Sequence, residues 1–373
     1  MSGPASSNAG PLEERLLALT EDLVRIPSVG LDDEAILAEI RRRVPEGWEV
    51  REPTKGALAL LPPGPLDERP FVVLAGHVDT VPPAPDRPPA REGTVVRGRG
   101  AADMKGGVAV LLDLAAAPEA RGGELAVGFL FVGREEMPLG HSALAPALAA
   151  EERLRRAALA IVLEPTANAI EVGCLGNLNA RATVRGVAAH TARPWLGRNA
   201  IHRAIEALAS VADLPVRDVE VDGLVFRESV SVTKIGGGIA ANVVPDLAVA
   251  EVNLRYAPIH APEQAEARIR ELLAHPDVEV EVLSNAPGAL PPLANPLVGR
   301  LRRTGGLEVR AKQAWTQVAE FAMHGVDAVN LGPGDPRYAH ADDEQVDADA
   351  LVRTHRVLAA FLAGRSVDEE PAR

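Results

Sequence analysis

Apolar residues recur at helical spacing from the start of the chain: Leu12, Leu16, Leu19, Leu23 and Ile26 share one face until Pro27 interrupts it. A second helix is predicted near Asp33 to Val44, with Ile36 and Ile40 as its stripe. The pattern then shortens. Strand-like text at Leu58–Leu61 is followed by Phe71–Ala75, Leu125–Val132 and Ala157–Leu163, three continuous apolar runs of the kind that fill parallel strands covered on both faces. A glycine-rich turn, Gly98–Gly107, leads into a helix predicted from Met104 to about Ala117. The prolines of Pro82–Pro89 permit neither helix nor central strand, so that stretch is read as a loop.

From about Gly176 the texture changes. Asn177–Val187 alternates like a half-exposed strand, and Ala188–Pro194 reads as a turn. A helix capped by Asn199 carries Ile201, Ile205 and Leu208. Strands Ser229–Ile235 and Leu247–Tyr256 are joined through Gly236–Gly238, and Ala248, Ala250, Val252 and Leu254 point one way along the second. Pro262 opens a helix with Ala265, Ile269 and Leu272, and Val278–Leu283 is a last strand. The order β-α-β-β-α-β is that of a ferredoxin-like α+β domain. It predicts an insert at 176–286, within a discontinuous α/β domain formed by 1–175 and 287–373. In the closing third, Leu297–Arg303 and Glu320–His324 read as helix, Ala328–Leu331 as strand and Ala348–Ala363 as the final helix.

Composition narrows the partners. Across 373 residues, 39 basic and 52 acidic side chains give a formal charge of −13, which argues against nucleic acid or an anionic membrane. Aromatic residues are 3% of the chain, too few for base-stacking platforms. Only four of the basic residues are lysines, so anion recognition falls to arginine. The single cysteine, Cys174, excludes a disulfide framework and a thiolate zinc site within one chain, and a free thiol fits a reducing cytoplasm. Met1–Gly10 has neither the basic start nor the apolar core of a signal peptide, and no run reaches the length of a membrane span; a soluble cytoplasmic protein is expected.

The chemistry collects where predicted strands and turns end. His77 and Asp79 follow the first buried strand, Asp103 closes the glycine-rich turn, and Glu135 and Glu136 follow the next strand. Glu164 follows the third, and His340 lies on a loop after the last. In open α/β sheets ligands bind beyond the carboxyl ends of the strands. His77, Asp103, Glu136, Glu164 and His340 are two imidazoles and three carboxylates, a set that suits zinc, cobalt or manganese rather than calcium. Five ligands exceed one tetrahedral zinc but serve two ions if one carboxylate bridges them. Glu135, next to a ligand but pointing elsewhere, is then placed to act as general base and to return the proton to a leaving amine. Asp79 is expected to accept the second N–H of His77.

These stretches, with Glu164-Pro165-Thr166 and Ala339-His340, resemble the motif series of the M20 family of dinuclear metallohydrolases, and the likeness runs through nearly the whole chain. It implies a zinc-exopeptidase-like catalytic domain with a mixed, largely parallel sheet, and an inserted ferredoxin-like lid and dimerisation domain. By the same resemblance Asp103 bridges two ions, His77 and Glu164 complete one site, and Glu136 and His340 complete the other. Glu135 is the base, Asp79 supports His77, and the Asp103–Met104 bond is cis.

Gly98–Lys105, Ala189–Gly197 and Gly332–Pro336 are similar to the actinobacterial desuccinylases of that family. This implies hydrolysis of N-succinyl-LL-2,6-diaminopimelate by a homodimer, with His190 reaching the partner's site to help hold the oxyanion, and with Asn242, Arg255 and Thr316 at the substrate. Glu320 departs from the pattern: those enzymes usually carry arginine there, and an acid facing a polyanionic substrate would repel it. An acetylornithine deacetylase, an aminoacylase, a dipeptidase and a non-catalytic dimeric scaffold are the alternatives.

Overall fold

The apolar runs predicted as buried strands become neighbours at the centre of one sheet. In the computed structural model, which describes residues 11–83 and 87–367, the strands Ala126–Val132, Phe71–His77, Leu159–Val162 and Ala328–Asn330 lie side by side, and all three pairings are parallel. Register aligns their ends: His77 pairs with Val132, Ala75 with Val162, and Val162 with Asn330. Antiparallel pairing at the flanks, as between Ala57–Leu61 and Ala126–Val132, makes the eight-stranded sheet mixed. The reading of Met1–Gly10 and part of that of the Pro82–Pro89 loop fall outside the described residues.

The chain forms two compact units, one of Met1–Val172, Pro292–Arg310 and Thr316–Arg373, the other of Gly173–Pro291 and Ala311–Trp315. The second thus takes in five residues far beyond the 176–286 expected for the insert. In the first unit the helix Gly106–Ala116 is buried from Gly106 to Ala115 beside Leu12–Val24 and Ala348–Ala363. Asp113 on that helix takes Arg15 Nε at 2.9 Å and Nη2 at 3.0 Å, and His355 Nε2 lies 3.0 Å away, so one buried acid ties three helices together. The two arginine bonds and His355 outweigh burial and hold the Asp113 carboxyl down at about 2.

The second unit is an antiparallel five-stranded sheet with the helices Ala200–Ala212 and Pro262–Leu272 against it. Its core is Leu178, Ala180, Ala182, Val252, Leu254, Leu208, Ile269 and their neighbours. Three expectations are corrected. The strand predicted at Ser229–Ile235 runs over Leu224–Gly237 and is joined by an additional edge strand, Arg217–Val221, so the sheet has five strands rather than four. The helix 200–212 buries Ala204, Ala207, Leu208 and Val211, while Ile205 is 58% exposed; small alanines allow the backbone close to the sheet, and that turns Ile205 outward. Ala189–His190, read as a turn, pairs antiparallel with Val243–Val244.

Candidate active site

Parallel strands send their carboxyl ends to one edge, and five of the six acids and histidines singled out as ligands or base follow those ends. His77 is the last residue of its strand and almost wholly buried. Its Nε2 is 3.1 Å from Asp103 Oδ1 and 3.8 Å from Glu164 Oε1. Asp103 arrives on a tight turn, Ala101–Lys105, entered through Gly100 at φ 84°, where a left-handed backbone is needed. The Asp103–Met104 bond is cis, as the family resemblance implies. The other carboxylate oxygen, Oδ2, lies 3.6 Å from His340 Nε2, and His340 Nε2 is 2.9 Å from Glu136 Oε1. Each oxygen of Asp103 therefore faces a different imidazole. Donor atoms of His77, Asp103 and Glu136 all lie within 4.8 Å of one another.

The turn that carries Glu135 and Glu136 is held from behind. Arg134 adopts φ 69°, uncommon for a residue with a side chain, and its Nε donates to buried Asp33 at 2.9 Å. Asp79 accepts from the backbone N–H of Glu135 and of Glu136, each at 3.0 Å, one on each carboxylate oxygen. This changes the expected role of Asp79. His77 Nδ1 meets the Asp79 backbone carbonyl at 3.0 Å, whereas the carboxylate Oδ1 is 3.7 Å away, too far for a hydrogen bond. A main-chain carbonyl orients the imidazole, and the carboxylate orients the two glutamates.

Glu344, four residues past His340, was not singled out from the sequence. Its buried carboxylate Oε1 accepts from Ala102 N at 3.2 Å and Asp103 N at 3.0 Å, and Oε2 accepts from Arg99 Nη1 at 2.9 Å. Nothing local announces this: the partners are more than 240 positions apart.

Electrostatically the cluster is short of positive charge. Burial disfavours a proton on His77, but Asp103, with Glu135 and Glu164 nearby, outweighs it and holds that pKa well above the ordinary value. Burial, opposed by His77 and reinforced by Glu164, Glu136 and Asp103, drives the Glu135 carboxyl well above its usual range. The bond to Glu136 raises His340. Groups that gather protons in this way are crowded anions lacking a counter-charge, and nitrogen and oxygen donors converging on one point fit divalent cations. The residues present suit the metal pair expected of them.

The remaining named residues divide. Thr316 is buried in the first unit and donates to Asn330 Oδ1 at 3.0 Å. His190, Asn242 and Arg255 belong to the second unit. There His190 Nδ1 accepts from Ala192 N at 3.0 Å, Asn242 is exposed, and half-buried Arg255 donates to Asn253 Oδ1 at 3.1 Å. Glu320 is wholly buried, accepting from Ser142 Oγ at 2.9 Å and Ala145 N at 3.3 Å. It serves the start of the helix Leu144–Ala150, and its carboxyl is turned to the interior rather than to solvent. Burial pushes it up to about 7 against those two bonds and His324.

The model of peptidase family M20/M25/M40 matches residues 73–364. The chain is 38% identical over 351 residues to a Mycobacterium tuberculosis H37Rv protein provisionally named succinyl-diaminopimelate desuccinylase DapE, covering 93% of this chain and 98% of that one. It is 36% identical over 357 residues to the succinyl-diaminopimelate desuccinylase of Corynebacterium glutamicum, covering 93% and 96%. The crystal structure of the M20 family metallo-carboxypeptidase Sso-CP2 from Sulfolobus solfataricus shares the fold, with a TM-score of 0.74 at 16% identity over 93% of this chain and 98% of that one. With a strand-end cluster of acids and imidazoles and a family match spanning most of its length, this chain belongs to peptidase family M20/M25/M40 and is a metallohydrolase of amide bonds.

Proposed function

We propose that the chain removes the succinyl group from N-succinyl-LL-2,6-diaminopimelate, releasing succinate and LL-2,6-diaminopimelate, with two divalent ions in the site. Zinc is the first choice, and cobalt or manganese fit the same donors. His77 and Glu164 would hold one ion, Glu136 and His340 the other, with Asp103 between them. One observation carries this reading: the two oxygens of Asp103 face two different imidazoles, at 3.1 and 3.6 Å. When bound, the ions supply Lewis acidity toward the acyl oxygen and lower the pKa of a coordinated water.

The chain's own residues do the rest. Glu135 takes a proton from the attacking water as its oxygen bonds to the acyl carbon. The same carboxyl then delivers that proton to the amine nitrogen as the C–N bond breaks. Asp79 keeps Glu135 and Glu136 apart in function by fixing both backbones. His190 is assigned to the oxyanion, and Asn242, Arg255 and Thr316 to the substrate. Arginine suits that task because its planar fork pairs with carboxylates. The second unit serves as lid and as the dimerisation surface of a homodimer working in the cytoplasm. Identity of 36–38% to proteins named desuccinylases supports the substrate, and the inward-facing Glu320 removes the charge conflict that an acid at that position raises.

Among the described residues no helix is long and apolar enough to cross a membrane. The test is a rate comparison on the zinc-loaded protein, with the succinyl compound set against acetylornithine, N-acetyl amino acids and dipeptides. The expected outcome is highest kcat/KM on the succinyl substrate. Turnover of another acyl compound with none on the succinyl one transfers the reading to a deacetylase, aminoacylase or dipeptidase.

A further inference from the structure

Two buried acids each hold a pair of adjacent backbone N–H groups at the site. Asp79 spans the N–H groups of Glu135 and Glu136, and Glu344 spans those of Ala102 and Asp103. The first acid lies two residues from His77; the second comes from the other end of the chain. Ala102 and Asp103 lie on the Ala101–Lys105 turn, whose backbone leaves helical geometry at Asp103 (φ −124°, ψ 90°) and Met104 (φ −135°, ψ 38°). Glu344 Oε1 accepts from both N–H groups and so fixes this non-helical turn from a distant part of the chain.

Its second oxygen carries the connection further. Oε2 accepts from Arg99 Nη1, Arg99 Nη1 also donates to Ala341 O at 3.2 Å, and Arg99 Nε donates to Pro82 O at 3.1 Å. The Glu344 backbone carbonyl accepts from Gly98 N at 3.0 Å. Five bonds thus tie the loop carrying His340 to the turn carrying Asp103, and a sixth reaches the segment leaving His77.

We infer that Glu344, with Arg99, is a positioning residue for the two-ion centre: it sets the Asp103 turn and the His340 loop so that the two carboxylate oxygens of Asp103 each meet one imidazole. The inference rests on the two-ion reading above. Glu344 is not among the five residues assigned to the ions; it acts through the backbone of Asp103. An acid suits the place because one oxygen accepts from the two N–H groups while the other accepts from the guanidinium. His340, 53% exposed at its side chain and held at φ 61°, depends on this tie more than the buried ligands do.

The test is a titration of the metal-stripped protein with zinc alone and with cobalt alone, read by calorimetry and by the visible absorption of the cobalt form. The parent protein is expected to take up two ions per chain. Glu344→Ala is expected to weaken uptake by roughly 10–100-fold, the usual cost of losing a group that orients ligands, and to alter the cobalt spectrum. Glu344→Gln keeps one oxygen for the two N–H groups and is expected to restore most of the affinity and the parental spectrum.

Arg99→Met leaves both amide bonds in place, so its loss should fall on one ion of the two; this variant carries the test if Glu344→Ala does not fold. Parental affinity in folded Glu344→Ala, or equal loss of both ions in Arg99→Met, overturns the inference while leaving the hydrolase intact. A parent protein that takes up fewer than two ions overturns the two-ion reading and this inference with it.

Discussion

Glu135 and Glu136 are adjacent, chemically identical and held by the same aspartate, yet they are assigned opposite work. Glu136 Oε1 sits 2.9 Å from His340 Nε2, while Glu135 is assigned the proton. Glu135→Gln should therefore retain two ions by elemental analysis and lose about 10²–10⁴-fold in kcat. Full turnover in that variant removes the assigned base. Glu320 supports a different prediction. Its carboxyl is buried and titrates at about 7 rather than 4.5. A raised folded-state pKa means stability that is complete below the ordinary value and lost as pH rises through about 7, to the extent of about 3 kcal/mol. Glu320→Gln keeps an acceptor for the Ala145 N–H and can donate to the Ser142 oxygen, so it should unfold at higher urea than the parent at pH 8 and match it at pH 5.

The proposed ligands could be picked out residue by residue because each follows a short apolar run or belongs to a glycine-rich turn. Glu344 could not, because a hydrogen bond to a backbone 241 positions away leaves no local pattern; the bond of His77 to the Asp79 carbonyl is local, but it is made by the main chain, which every residue type carries alike.

At the scale of elements, strands and helices with strong patterning lie where the apolar spacing predicts, the final helix over Ala348–Ala363 to the residue. What escaped was the hairpin Arg217–Val221 with the first part of Leu224–Gly237. Charged Arg217, Asp218 and Glu220 dilute its alternation, and of its apolar side chains only Val219, Val221 and Phe226 are buried. A signal was nonetheless present. Asp222-Gly223 joins the strands with φ of 52° and 78°, and Asp-Gly is the pair that accepts two left-handed residues in a tight hairpin. Helix packing in the first unit leads to a further prediction. Asp113 is held at about 2, below its ordinary 3.8, by Arg15 and His355. A depressed carboxyl contributes stability above the unfolded value and loses it as pH falls through the folded one, here about 2 kcal/mol. Asp113→Asn should lower the thermal midpoint at pH 7, and the gap to the parent should close as pH drops below about 4.

For the whole molecule, what the sequence could anticipate was a change of texture near Gly176; the return of Ala311–Trp315 to the second unit has no such mark. There Gln313 donates to Val225 O at 2.8 Å and accepts from Arg227 N at 2.9 Å, and Trp315 donates to Pro287 O at 3.0 Å. These contacts join five residues to strands and loops some 28 to 88 positions back, which periodicity cannot report. Cys174 lies where the chain first enters this unit, fully buried, with its N–H and carbonyl both bonded to Ala289 at 3.0 and 3.2 Å, just before the chain leaves again. The sole sulfhydryl is thereby sealed behind the crossing of the incoming and outgoing strands of polypeptide. A water-soluble alkylating reagent should leave the native protein unmodified and label one group per chain in denaturant, and its uptake without denaturant would clock each momentary parting of that crossing.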